Sequence, residues 1–374
     1  MFFEFSWIII FTALILFTYY LTGKSSFYSN ILQSGACRNR YTYLDGLRGV
    51  LALGVFFCHS VISYYFYISG KWEIPPMKFV TIMGELAVVL FFMITGAVFW
   101  SKILSERPFD VTTFYISRFK RILPMYLVSL MFSLMVIIIS SKFNFKGDIY
   151  YVLNQLRLLL IFDFKEYTGI GFLNEDIRIQ SVYWSLRYEC IFYFFFPLLT
   201  VFKKNLKFFF IAIFFLFLIF FSAHILNIIL GMIAAIIQKE FFPKLPKQAS
   251  YLINALSLIS LIALFVFFST AYSYPQSLLA FLFFIPILSI DCKYTILLFK
   301  PLRALGVISY SFYVLHQVFI FITFKFCNIF VAKIATLNKL ELLICIFIAG
   351  AISTVFSLFT YKNIEYKFYA RNNH

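Results

Sequence analysis

Residues 44–60, "LDGLRGVLALGVFFCHS", are apolar apart from an aspartate, an arginine and a histidine. Extended to residue 66, the run is long enough to cross a hydrocarbon core, which takes about 20 residues. Arg48 and His59 lie eleven positions apart. At 100° per residue that is about 1,100°, three turns plus about 20°, so both side chains leave one face of a helix. Along the axis they are about 16 Å apart. They cannot pair with each other, so each needs its own reason to be there. Asp45 precedes Arg48 by three residues on the same face, where it can cap free amides of the first turn or pair with the arginine.

The rest of the chain makes this the pattern of a membrane protein. Of 374 residues, 62% are hydrophobic and 13% charged, with a mean hydropathy of +0.90. A soluble domain does not have that balance. The net charge of +16 is spread over short connections between apolar runs. It reads as topology signals and anchors for anionic lipid, not as a nucleic-acid surface. Six cysteines without a CxxC pair imply neither a disulfide framework nor a zinc site.

Eleven apolar segments are expected to span: 5–22, 44–66, 79–101, 122–140, 182–202, 208–222, 225–238, 251–270, 274–290, 304–324 and 341–360. The break inside "FSAHILN" (221–227) has a weak turn signal, but residues 206–238 as one helix would be about 50 Å long, too long for one crossing. Lysine and arginine counts in alternate connections are twenty against ten, which places the richer set and the C-terminus in the cytoplasm. The same count supports the split at 222–225. The first run lacks a basic n-region and a cleavage site, so it is expected to stay as a helix. "YYVLNQLRLLLIF" (150–162), in the one long external connection, has the pattern of an amphipathic interfacial helix. The expected organisation is an N-terminal transmembrane helix and linker (1–40), then one membrane domain (41–374), with no appended soluble domain.

Titratable groups inside a bilayer cost about 2.5–3.5 kcal/mol each at a helix centre and are functional candidates by default. Depths from the 1.5 Å rise put His59, Glu85, Glu189 and His316 in one layer, each about 8–12 Å below the outer surface. A shared depth fits a single polar cavity. The plainer alternative is hydrogen bonding across helices. At the inner surface, "YISRFKRILPMY" (115–126) leads into the fourth span with Arg118 and Arg121 three apart, hence on one face if helical. Guanidinium groups suit phosphate, although positive-inside anchoring uses the same residues. Three arginines at one mouth and a histidine deeper in fit an elongated ligand with an anionic head.

Six motifs in order resemble the acyltransferase type 3 family of polytopic membrane O-acyltransferases. They are "RYTYLDGLRGVLALGVFFCH" (40–59), "GELAVVLFFMITGAVF" (84–99, with Thr95 where Ser is usual), "RFKRILPMY" (118–126), "VYWSLRYECIFYFFFP" (182–197), "LGVISYSFYVLH" (305–316) and "KNIEYKF" (362–368), where Tyr366 and Lys367 replace a common proline. The resemblance covers residues 40–368. It implies a ten-helix core with both ends inside, so the first helix is an addition to the pattern. It further implies transfer of an acyl group, usually acetyl from cytoplasmic acetyl-CoA, to a hydroxyl of a cell-surface or other extracytoplasmic glycan at a bacterial cytoplasmic membrane.

The resemblance assigns Arg48 and His59 as required and Arg118 and Arg121 as a second basic element at the donor. Coenzyme A would then lay its phosphates on the three arginines and reach toward His59, which serves as general base or as a covalent acyl carrier. Glu85, Glu189 and His316 are candidates to orient the imidazole or bind the acceptor, and Trp184 is a candidate to stack on a sugar. No bound cofactor or metal is expected; the partners are acyl-CoA, the hydroxyl acceptor and membrane lipid. Cys58 beside His59 points about 100° away from it, and Ser185 has no identifiable triad partner. A transporter with buried carboxylates and histidines is the main rival, and it predicts repeat symmetry and broken helices that the chain does not display. A purely structural subunit would not need Arg48 and His59 on one face.

Overall fold

The computed structural model describes residues 2–37, 42–105, 108–163, 165–171, 176–201, 206–289, 292 and 294–370. These form helices without a sheet. In chain order they are α1 (Phe2–Gly23), α2 (Ser26–Cys37), α3 (Thr42–Ser69), α4 (Lys78–Leu104), α5 (Val111–Ser140), α6 (Ile149–Leu160), α7 (Asp176–Ile179) and α8 (Trp184–Val201). There follow α9 (Leu206–Phe220), α10 (Ala223–Glu240), α11 (Lys247–Phe267), α12 (Tyr274–Phe284), α13 (Lys300–Val307), α14 (Ser309–Phe330) and α15 (Lys339–Thr360), which continues as a π-helix over Tyr361–Ala370.

Among the described residues eight helices are long and apolar enough to cross a membrane: α1, α3, α4, α5, α10, α11, α14 and α15. The shorter apolar helices α9 and α12 and the eighteen-residue α8 fill the other three expected segments. The architecture is therefore an all-α, polytopic one. Its centre is α4, whose apolar stretch is 78% buried, beside α3 at 67%; α11, at 17%, turns most of its surface outward.

The central helices touch backbone to backbone. A Cβ on Gly49 would fall 2.1 Å from the Leu302 carbonyl oxygen, and one on Gly306 would fall 1.7 Å from that of Asp45. In the "LDGLRG" motif Gly49 is therefore contact surface for α13 and Gly46 for the Leu297 carbonyl just before it, an approach close enough to fix the first turns of α3. Small residues serve this purpose in membrane bundles, where close packing replaces the hydrophobic drive between helices.

Three boundaries differ from the sequence reading. Helix α5 starts at Val111, eleven residues before the expected span, because Asp110 caps it by accepting from the Thr113 amide at 2.6 Å. Arg118 and Arg121 thus lie inside the helix and do not lead into it. The tenth segment is two helices, α13 and α14, divided at Ile308. The C-terminal motif 362–368 is itself helical, in π register. The weak break at 221–227 is real: Phe221 takes a left-handed φ of 37° and the Ser222 hydroxyl accepts from the His224 amide, starting α10. Of the segment 150–162, residues 150–160 lie in α6, which is capped by Asp148 and anchored where Tyr126 donates to the Leu159 carbonyl at 2.6 Å.

Candidate active site

Two polar clusters occupy the centre, at the two ends of the α3 face that carries Arg48 and His59. At the Arg48 end, α3, α4, α5, α8 and α14 enclose a cavity of about 90 Å³ lined by Arg48, Thr95, Arg121, Ser185, Glu189 and Tyr313 among others. Arg48 Nη1 pairs with Asp45 Oδ1 at 3.3 Å, as its i, i+3 spacing anticipates. The pair is partly exposed, so its worth is that of a surface ion pair and its effect is mainly orientation. Two guanidinium groups and one carboxylate leave the lining with an excess positive charge. A wider groove of about 430 Å³ near Phe241 and Leu245 is walled by apolar side chains and offers nothing to do chemistry with.

At the other end His59 and His316 meet. His59 Nδ1 lies 2.8 Å from His316 Nε2. The ring centroids are 5.2 Å apart and the planes differ by 11°. A nitrogen separation shorter than the centroid distance by about two ring radii means that the imidazoles meet edge to edge in nearly one plane. His316 Nδ1 lies 3.2 Å from the Phe312 carbonyl oxygen. A carbonyl can only accept, so for the neutral pair Nδ1 of His316 carries the hydrogen and Nε2 offers its lone pair. His59 must then donate through Nδ1, which leaves the lone pair of His59 Nε2 uncommitted. These tautomers are assigned from the bonding network. His316 is fully buried whereas His59 is partly exposed, so the pair has a supporting member and an accessible one. A buried group bonded to a reactive imidazole fixes its tautomer and orientation.

Tyr313 links the clusters. It lines the cavity, its hydroxyl lies 2.8 Å from Ser185 Oγ, and its ring centroid is 6.0 Å from that of His316. Ser185, rejected as a nucleophile for want of partners, is occupied by this contact and by the Val182 carbonyl. Tyr313 was missed in the sequence. Its signal was its place three residues before His316, on the same helix face.

The remaining candidates divide. Glu189 does not share the histidine layer: it lines the arginine cavity and accepts from the Tyr193 hydroxyl. Residue counts give depth along a helix axis, but rotation about that axis decides what a side chain meets, and packing sets the rotation. Arg118 does not line the cavity with Arg121. It is buried with its guanidinium 4.8 Å from the Phe99 ring centre and 5.8 Å from that of Tyr193, a cation–π environment. Three residues make 300°, so the two arginines diverge by about 60°, enough to separate an aromatic wall from a cavity.

Glu85 accepts from Thr270 Oγ1 and the Ala271 amide, both at 2.6 Å, and so ties the turn before α12 to α4. The next residue, Tyr272, has its phenol pKa raised well above the ordinary value, first by burial and then by nearby Tyr313, Glu85 and Cys58. That turn therefore lies close to Tyr313 and Glu85. Trp184 faces the His224 ring at 4.9 Å, with Tyr188 and Tyr272 completing an aromatic cluster. Among the described residues no cluster of three metal-ligating side chains occurs.

Residues 41–362 match the model of the type 3 acyltransferase family, described as an acyltransferase domain. The chain belongs to that family. Its α1 and α2 precede the match. Acyltransferase MdmB of Streptomyces mycarofaciens is 31% identical over 161 residues, 42% of this chain. The match spans 39% of that relative's length. No solved structure matches the chain. Within the family region lie every site residue named above, both imidazoles and all three arginines.

Proposed function

We propose that this family member is a membrane O-acyltransferase that moves an acyl group, acetyl in the simplest case, from cytoplasmic acyl-CoA to a hydroxyl of an extracytoplasmic glycan. The observation that carries the reading is the His59–His316 pair, which leaves one uncommitted imidazole lone pair at the end of a face whose other end is an arginine-lined cavity. The cavity is narrower than a ligand pocket, which typically holds about 300–1,000 Å³. It suits an extended arm, with the nucleotide and its phosphates held at the mouth by Arg48 and Arg121. Arg118, turned into aromatic rings, supports the wall.

In the transfer, the acceptor oxygen attacks the thioester carbonyl as His59 Nε2 takes the hydroxyl proton. The C–O bond forms, the C–S bond breaks, and the imidazolium returns the proton to the departing thiolate. The proton on His59 Nδ1 stays in its bond to His316 throughout, so the cation is stabilised without moving the ring. Tyr313 stands where the thioester would pass from cavity to imidazole. Trp184, with its aromatic neighbours, is the acceptor-side platform in this reading. The chain would sit in a bacterial cytoplasmic membrane with its C-terminus inside, surrounded by lipid and holding no resident cofactor.

The test is purified protein with labelled acetyl-CoA and a membrane glycan extract, comparing wild type with His59→Ala and Arg48→Ala. Loss of transfer in both is expected. Transfer at the wild-type rate in both would remove the assignment. Solute flux without transfer would favour a transporter instead.

A further inference from the structure

Acyl transfer as described leaves one developing charge without a partner. When the acceptor oxygen attacks, the thioester carbonyl oxygen becomes an oxyanion, and donors aimed at such an oxygen are usually the largest single contribution to catalysis. His59 Nε2 serves the acceptor hydroxyl and cannot serve that oxygen as well. A second donor has to stand beside the path.

The hydroxyls that line the cavity belong to Thr95, Ser185, Ser309, Tyr310 and Tyr313. Thr95 donates to the Phe91 carbonyl at 3.1 Å and Tyr310 to the Ile122 carbonyl at 2.8 Å, so each has an acceptor of its own. Ser185 and Tyr313 share one. Each of their oxygens lies 3.2 Å from the Val182 carbonyl oxygen, and the two are 2.8 Å apart. This triangle of oxygens offers three contacts, but two hydroxyls supply only two hydrogens. With Ser185 donating to Val182 the carbonyl is satisfied, and the Tyr313 hydrogen is free to point at Ser185 Oγ or at an oxygen that enters the cavity. Neither choice strands a buried polar group.

Position singles out the same side chain. Tyr313 precedes His316 by three residues, about 4.5 Å along α14, whereas Ser309 precedes it by seven, about 10.5 Å. The ring centroids of Tyr313 and His316 are 6.0 Å apart, and those of His316 and His59 are 5.2 Å apart. Phe91, another lining residue, packs edge-on against the Tyr313 ring at 6.1 Å. The ring is thus held by packing while its hydroxyl hydrogen can turn, which is what a preorganised donor requires.

We propose that the Tyr313 hydroxyl is the oxyanion donor of the transfer, with Ser185 as its positioning residue. This deepens, and rests on, the reading of His59 as the base acting on an acyl-CoA thioester. As the C–O bond forms, Tyr313 hydrogen-bonds the carbonyl oxygen and Ser185 alone holds the Val182 carbonyl. As the C–S bond breaks, the carbonyl is restored, His59 returns the proton to the thiolate, and Tyr313 turns back to Ser185. The phenol lends a hydrogen bond and keeps its proton, so no further reactant is needed.

The test is single-turnover transfer to a membrane glycan extract by the full chain in nanodiscs, from acetyl-CoA and from its dithioester analogue, in which sulfur replaces the carbonyl oxygen. Sulfur accepts hydrogen bonds weakly, so the ratio of the two rates, oxygen over sulfur, reports a donor at that atom. Tyr313→Phe keeps the ring and deletes the hydroxyl. It is expected to slow transfer from acetyl-CoA about 100-fold, the low end for loss of one oxyanion donor, and to lower the oxygen-over-sulfur ratio about tenfold. Coenzyme A affinity and melting temperature should stay at wild type, because Ser185 keeps the Val182 carbonyl satisfied. Ser185→Ala commits Tyr313 to that carbonyl, and should slow transfer about tenfold with a ratio between those of wild type and Tyr313→Phe. The double variant should be no slower than Tyr313→Phe.

Transfer by Tyr313→Phe within about threefold of wild type overturns the proposal. So does a large loss at the wild-type oxygen-over-sulfur ratio, which places the effect of the hydroxyl away from the carbonyl. If Tyr313→Phe melts early, Ser185→Ala carries the test, and a wild-type rate and ratio there overturn the proposal equally. Wild-type transfer in His59→Ala would instead sink the reaction itself; loss there with wild-type transfer in Tyr313→Phe overturns the oxyanion role alone.

Discussion

Replacing His316 by phenylalanine isolates what the second imidazole does for the first. Phenylalanine fills nearly the same volume and keeps the ring contacts to Phe56 at 6.3 Å and Phe312 at 6.0 Å, so packing should change little. What it removes is the acceptor for His59 Nδ1, now 2.8 Å away. An unsatisfied buried donor costs about 1–3 kcal/mol. His59 escapes that cost by rotating or by moving its proton to Nε2, and either escape withdraws the lone pair the transfer needs. If the variant must recover the working tautomer against about 2.7 kcal/mol, the rate falls about 100-fold, within the range for a mispositioned general base. His316→Gln can place a carbonyl oxygen near the lost Nε2, and should recover activity to within about tenfold of wild type. The assay is single-turnover acyl transfer from labelled acetyl-CoA, with His59→Ala as reference. The double variant His59→Ala/His316→Phe should be no slower than His59→Ala, since residues that act as a unit are not additive. Wild-type rates in His316→Phe, or full additivity in the double variant, would refute the coupling.

Three further expectations concern the frame. Gly306→Ala puts a methyl 1.7 Å from the Asp45 carbonyl oxygen; both partners are backbone, so α13 must move off α3, at a cost of about 1–3 kcal/mol or more, read as a lower melting temperature together with weaker coenzyme A binding through the displaced Arg48. Glu85→Gln weakens the clamp on Thr270 and Ala271, and should lower stability by about 1–3 kcal/mol in thermal unfolding while the chemical step per folded molecule stays within a few-fold. Asp110, which caps α5, has its carboxyl held below the ordinary range, mainly by the Thr113 contact. A depressed folded pKa means stabilisation present above the unfolded value and lost as pH falls through the folded one. Amide exchange in the first turn of α5 should therefore accelerate only under acid conditions, and the acid sensitivity should vanish in Asp110→Asn, which keeps the cap without the charge.

The residues alone determined that the chain is an all-α membrane protein, because a mean hydropathy of +0.90 with helix-length apolar runs leaves no soluble alternative. They also put Arg48 and His59 on one face, since helical period is a local property. The break at Phe221 was legible through length and the lysine–arginine count, not through local chemistry: no glycine marks it, and the Ser222 cap is a weak signal in an apolar run. The start of α5 at Asp110 could have been read from a capping aspartate, had the span not been sought by hydropathy.

Partnership was beyond the sequence. That His59 meets His316 across 257 positions while Glu189 turns to the arginines, that Arg121 lines a cavity while Arg118 is wrapped in Phe99 and Tyr193, and that Tyr313 meets Ser185 across 128 positions, were decided by packing. The physical reason is one of degrees of freedom. Sequence spacing fixes a side chain's height and azimuth on its own helix, whereas the rotation and offset between helices depend on how all their surfaces interlock at once.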